Sequence, residues 1–269
     1  MRVPLPASLR DDVVNRTSEP SRPVDAATVM LLRDGADGVE AYFLRRQRSM
    51  AFAAGMYVFP GGRVDPRDAE TDVAWVGPTP AEWGERLGCD EALARALVCA
   101  AIRETYEEAD VLLAGDTDEV VADVSGDAWE ADRRALVAHE VSLASVLARR
   151  GLAVRSDLLG AWAHWITPDF EPRRYDTRFF VAVLPVGQRT RDVSTEADRV
   201  EWLAPAAALR REEHGELAMM PPTRVTCNDL AALPTADAAL TSAADRRIAP
   251  VMPRLVSDGG EYFLEAELP

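Results

Sequence analysis

Residues 103–111, RETYEEADV, carry three glutamates within nine positions. On an α-helix Glu104, Glu107 and Glu108 stand three and four positions apart, so their carboxylates project from one face and converge. Like charges this close repel. Such a face is stable if water solvates it, if protons are taken up, or if a hard divalent cation sits among the oxygens. A cation held by several carboxylates, with positions open to water and substrate oxygens, is equipment for hydrolysing a phosphoryl group. It lowers the pKa of a bound water and neutralises charge growing on the phosphate. Arg103, directly before the first glutamate, can fix that carboxylate in a bidentate pair. Gly61 and Gly62 follow an apolar run and let the backbone approach such a site with no Cβ in the way. The bland alternatives are a solvated acidic helix face for the glutamates and ordinary surface positions for Arg46 and Arg174.

The elements that must hold these residues follow from hydrophobic patterning. Residues 92–102, ALARALVCAAI, are helix-forming and mostly apolar, which makes the glutamates the end of a buried helix over 89–113. Residues 27–32 and 39–44 read as strands joined by a turn at Asp34-Gly35, and residues 56–59 as a strand running into Pro60-Gly61-Gly62. The stretch 68–88 loses strand character and reads as an inserted loop with a short helix. Helical spacing runs over 128–150 as one helix stopping at Gly151. Residues 158–166, 177–186 and 200–203 read as strands, residues 206–213 as a helix, and 223–244 as a helix broken near Pro234. Asp258-Gly259-Gly260 turns a C-terminal hairpin. This mixture predicts an α/β or α+β layered structure. Residues 1–24 form an N-terminal extension, 25–210 the main domain with an insertion at about 69–90, and 211–269 a helical extension with a hairpin tail.

The 269 residues are 48% hydrophobic and 28% charged, the balance of a soluble globular protein. A formal net charge of −15 argues against nucleic acid or an anionic membrane as the main partner. Cys89, Cys99 and Cys227 form no CxxC pair, which predicts free thiols in a reducing compartment. With neither a signal-peptide core nor a membrane-length apolar run, the expected location is the cytoplasm. His139, His164 and His214 are isolated and read as structural. Trp162 and Trp165 read as core.

In combination, the FPGG of residues 59–62, Asp68 and the RETYEE of residues 103–108 resemble the Nudix hydrolase box. Gly62 and Asp68 keep its first spacing, with Asp in place of the expected Glu. Roughly 34 residues then separate Asp68 from Arg103, far more than in the common form. A long insert is also seen in the branch that includes the peroxisomal coenzyme A diphosphatases. The FxxGxxVFPGGxxD run at 52–65, the stretch 162–182 and MPPTR at 220–224 look like that branch too.

The resemblance implies a Nudix fold, a mixed β-sheet sandwiched between helices, with an insertion in the box and a helical C-terminal extension. It implies metal-dependent cleavage of a diphosphate linkage in a nucleoside diphosphate derivative, with coenzyme A or acyl-CoA as the first to try. Residue by residue, Glu104, Glu107, Glu108 and the Gly61 carbonyl would bind Mg²⁺ or Mn²⁺, and Arg103 would orient Glu104. The general base in that family is either a box glutamate or one from a later loop, for which Glu196 is the candidate, and Arg46 and Arg174 are the candidate substrate contacts. Three departures stand out. Thr105 replaces an aliphatic residue, and Ala51 replaces an arginine of the coenzyme A signature. Asp110 replaces the helix-ending glycine, a left-handed position that Asp tolerates at a cost of about 1 kcal/mol. The rival expectation is a catalytically weak or inactive Nudix-like module that binds a ligand without turnover. The expected partner is a small-molecule diphosphate, and the C-terminal hairpin and strand edges would suit a homodimer.

Overall fold

The computed structural model describes residues 1–5, 13, 20–36, 38–50 and 53–269. Ala51, Phe52 and much of the N-terminal extension lie outside the described residues. In chain order the strands and helices begin with β1 (Arg2–Pro4), β2 (Val24–Gly35), β3 (Gly38–Arg46), β4 (Tyr57–Val58), β5 (Gly61–Arg63) and β6 (Trp75–Val76). Then follow α1 (Pro80–Leu87), α2 (Glu91–Ala109), β7 (Ala114–Gly115), α3 (Asp127–Val137), α4 (Leu143–Arg150), β8 (Ala153–Arg155), β9 (Leu159–Ile166) and β10 (Tyr175–Val183). The chain continues with β11 (Ala197–Leu203), α5 (Pro205–Glu213), α6 (Pro221–Ala231), α7 (Ala236–Ser242), β12 (Pro250–Val251), β13 (Arg254–Asp258) and β14 (Glu261–Glu265).

The central sheet has the order β11-β3-β2-β10-β9-β12, with β4 added to β3 and β5 added to β2. It is mixed. β2 runs parallel to β10 and antiparallel to β3 and β5. The period-2 alternation of β2 sorts its side chains between two cores. Ala27, Val29 and Leu31 pack with α1 to α4, whereas Met30 and Leu32 pack with α5 to α7. Covered on both sides, the strand reads as a continuous apolar run. The result is the expected α/β sandwich, a mixed sheet between helical layers.

The long helix α2 starts where the Asp90 side chain accepts from the Leu93 N–H at 2.8 Å. It ends at Asp110, whose φ of 58° is left-handed, as expected for the residue in the glycine position. The single helix expected over 128–150 is two. The chain turns left-handed at His139 (φ 55°), and α4 restarts where the Ser142 hydroxyl accepts from Ser145 N–H. Hydrophobic spacing runs through this corner because both helices bury one face against the same core, so periodicity alone misses the break. The start of the chain is not only an arm, since β1 pairs with β14 of the C-terminal hairpin. No helix among the described residues is long and apolar enough to cross a membrane.

Candidate active site

The last turns of α2 lie against β5, and two glycines set the closeness of that approach. Gly61 pairs with Thr28 of β2, where an added Cβ would meet the Thr28 Cα at 2.7 Å. At Gly62 a Cβ would meet the carboxyl carbon of Glu104 at 2.6 Å. Only glycine leaves room for both the sheet and the carboxylate. The Gly61 N–H then donates to Glu108 Oε2 at 2.8 Å. Glu104 and Glu108 therefore stand against the paired glycines rather than pointing into bulk solvent.

Arg103 is 5% exposed and organises the other side. Its Nε and Nη2 donate to the two oxygens of Asp68 at 3.0 and 2.9 Å, its Nη1 to Glu104 Oε1 at 2.7 Å, and its Nη2 to the Arg63 carbonyl at 2.9 Å. A longer contact of 3.4 Å reaches Glu107 Oε1. Asp68 in turn accepts from the Asp65 N–H at 2.8 Å. The Asp standing for the expected Glu is thus the buried partner of the arginine, on the short turn just after β5.

Burial of like charges shows in the protonation equilibria. Burial pushes Glu104 up to about 7 against the pull of Arg103. It also raises Glu108, where repulsion from Glu104 adds to burial and the Gly61 N–H opposes it. Glu107 and Asp68 are raised by burial as well. Three carboxylates, Asp68, Glu104 and Glu107, share the Arg103 guanidinium, which can balance one charge of three, and Glu108 stands apart against the Gly61 N–H.

A divalent cation would relieve that excess, and the donor set of carboxylate oxygens beside an open cleft suits a hard ion such as Mg²⁺ or Mn²⁺. The side chains fit it in chemistry. Their present arrangement is not a finished coordination shell: among the described residues no three His, Cys, Asp or Glu side chains gather as a ready cluster. Glu104 and Glu107 lean on Arg103 while Glu108 turns to Gly61.

The ridge forms one wall of a cleft of about 1280 Å³. Arg46 and Glu196, from the ends of β3 and the loop before β11, reach the same cleft and pair at 3.0 Å. Both act electrostatically on Glu108, which places them on its side of the ridge. Arg174 also lines the cleft, with its Nε and Nη1 donating to the Thr167 and Ser21 carbonyls at 3.1 and 2.8 Å. Thr105 is fully buried, and its hydroxyl donates back to the Ala101 carbonyl at 2.7 Å. The Asp110 carboxylate pairs with Arg191, which also holds Glu130 at 2.7 Å. That engagement directs the extra charge at the helix end toward Arg191. Trp162 and Trp165 are buried as expected, and His164 pairs with Asp176 at 2.6 Å.

Supporting residues escaped the sequence reading. Arg133 of α3 donates to the Glu107 carbonyl at 2.9 Å and pairs with Glu130, bracing the last turn of α2. No spacing rule connects positions 26 residues apart on different helices. The same holds for His139, which lines the cleft from the α3–α4 corner.

Comparison with known proteins adds four findings. The family model of the NUDT19 Nudix domain matches residues 81–228, more than half of the chain. The acyl-coenzyme A diphosphatase NUDT19 of Gallus gallus is 27% identical over 225 residues, covering 68% of this chain and 58% of that protein. A putative nudix hydrolase 7 of Caenorhabditis elegans is 26% identical over 179 residues, 66% of this chain and 51% of that protein. The chain thus spans little more than half the length of these curated relatives. A crystal structure of a NUDIX hydrolase from Alicyclobacillus acidocaldarius superposes with a TM-score of 0.70 at 31% identity, covering 82% of this chain and 96% of that one.

Proposed function

Because the chain belongs to the Nudix hydrolase family, we propose that it is a pyrophosphohydrolase that cleaves a diphosphate linkage in a nucleoside diphosphate derivative with the help of a divalent cation. The observation that carries this reading is the seating of Glu104 and Glu108 against Gly62 and Gly61, beside an open cleft. Glu104, Glu107, Glu108 and the Gly61 carbonyl would hold Mg²⁺ or Mn²⁺, which when bound supplies charge neutralisation at the phosphate and a more acidic water. Arg103, locked by Asp68, fixes Glu104 and Glu107 and is a positioning residue. Glu196 accepts the proton of the attacking water, and its pairing with Arg46 holds the carboxylate at the mouth of the site. Arg46 offers a charged donor to a substrate phosphate, and Arg174 binds along the same cleft.

Coenzyme A and acyl-CoA are the first substrates to test, since one relative's name is acyl-coenzyme A diphosphatase. The division into an N-terminal extension, a catalytic domain over 25–210 and a helical C-terminal extension belongs to the same proposal. So does a homodimer.

One feature favours a second reading, a binding module without turnover: Arg103 already occupies the Glu104–Glu107 side as an internal cation. Thr105 lends it no support, because its hydroxyl donates to the Ala101 carbonyl, whereas Asp110 is held by Arg191 through one oxygen and its buried Oδ1 finds no partner among the described residues. Incubation with coenzyme A, acyl-CoA, ADP-ribose and diadenosine polyphosphates, with Mg²⁺ or Mn²⁺, separates the two. The enzyme reading expects monophosphate products and a loss of two or more orders of magnitude in kcat for Glu107→Gln with the fold intact. Tight binding without metal-dependent products would leave the module.

A further inference from the structure

Among the described residues five helices end with a left-handed residue. After α1, α4 and α5 that residue is glycine, Gly88 (φ 66°), Gly151 (φ 67°) and Gly215 (φ 71°), whose added Cβ would meet nothing. Glycine costs least in this conformation. The other two positions carry side chains, Asp110 and His139. Asp110 uses its side chain to hold Arg191.

His139 terminates α3 in the same way, with its N–H donating to the Leu136 carbonyl at 2.8 Å and the Glu140 N–H to the Ala135 carbonyl at 2.9 Å. Nothing in that termination needs an imidazole. The residue is nevertheless held from two sides. Arg67 Nη1 donates to the His139 carbonyl at 2.9 Å, and Arg67 Nη2 stands 3.3 Å from the ring Nδ1. Asp65 fixes Arg67 through two oxygens, each at 2.9 Å, and lies 3.4 Å from His139 Nδ1. Asp65 follows β5 by two residues, so the ring is anchored to the loop that carries Gly61 and Gly62.

The ring itself is 63% exposed and lines the cleft with Arg63 and Glu107. Nδ1 faces the Arg67 donor, which favours the neutral tautomer with its hydrogen on Nε2. Protonation adds a second hydrogen at Nδ1, toward Asp65. In both states Nε2 is an N–H donor, and it has no partner among the described residues.

On the premise that the cleft binds a diphosphate, we propose that His139 is a direct substrate contact, donating from Nε2 to a phosphate oxygen on the Glu107 side of the ridge. The left-handed backbone aims the ring, and the Asp65–Arg67 pair keeps it there. The specificity of the site is then partly set by the α3–α4 corner, a segment outside the box.

His139→Asn and His139→Gly both accept a left-handed backbone, so they test the ring without a folding penalty. Each is assayed on whichever substrate of the diphosphate panel the wild-type protein cleaves. The expected result is a KM raised about tenfold, the loss of one hydrogen bond to a charged group, with kcat within about threefold. The melting temperature is expected to stay level in the Asn variant and to stay level or rise in the Gly variant. A KM within twofold of wild type in both variants overturns the proposal. So does a raised KM accompanied by a lower melting temperature in both, which would make the ring a prop for Arg67. If the wild-type protein cleaves nothing in the panel, the hydrolase reading fails first and takes this one with it.

Discussion

The two flanks of the carboxylate ridge use the same chemistry in opposite settings. On the Glu104–Glu107 flank, Arg103 and Asp68 pair at 2.9 Å with side chains 6% and 2% exposed. On the Glu108 flank, Arg46 and Glu196 pair at 3.0 Å with side chains 18% and 51% exposed. The distances are alike and the burial is not. A buried pair has lost its water, so removing one partner strands the other's charge, whereas an exposed pair trades its partner for solvent. One flank is therefore a fixed frame, and the other can trade its partner for solvent, which is what the proposed contact of Arg46 with a substrate phosphate requires.

The largest break in this comparison comes from Asp68→Ala. It leaves Arg103 buried without its bidentate partner and is expected to cost about 3–5 kcal/mol, read from the midpoint of a urea unfolding curve at unchanged slope. A cost under about 1 kcal/mol would put the two flanks on the same footing.

A smaller, pH-dependent effect follows from Glu104. Burial raises its pKa from 4.5 to about 7, so the folded protein keeps this proton to higher pH than the unfolded chain does. The stability it contributes is fully present below about pH 4.5 and is lost as pH rises through about 7. Glu104→Gln cannot ionise. In a chelating buffer its melting temperature should gain on wild type across that window, and added Mg²⁺ should close the gap by stabilising the wild-type carboxylate. A gap that shrinks with rising pH in chelator would mean that Arg103 outweighs burial.

The smallest effect on stability is expected at the exposed flank. Arg46→Ala should stay within about 1 kcal/mol of wild type in the same urea experiment, while KM for the cleaved substrate rises. Equal losses of stability at Arg46 and Asp68 would erase the distinction between frame and rim.

Local chemistry carried much of this into the sequence. The apolar runs of β2 and β3, the turn at Asp34-Gly35 and the Asp258-Gly259-Gly260 hairpin turn are all short-range decisions, made within a few residues. Three glutamates at helical spacing behind a buried alanine-rich run likewise fixed a common face. The left-handed Asp110 was legible through the resemblance, since it stands at the helix-ending glycine of the box and Asp is among the few other residues that tolerate that backbone.

What the chain could not announce is which groups would become neighbours across long separations, since those pairs exist only once the core has closed. Tertiary packing turned Asp68 into the buried partner of Arg103 and brought Gly62 to the Glu104 carboxylate. It also braced Glu107 through Arg133 and carried His139 to the edge of the cleft. Burial did the rest: composition set how many charges there are, but only the folded shape decided which lost their water, and so which resist ionising near the glycines.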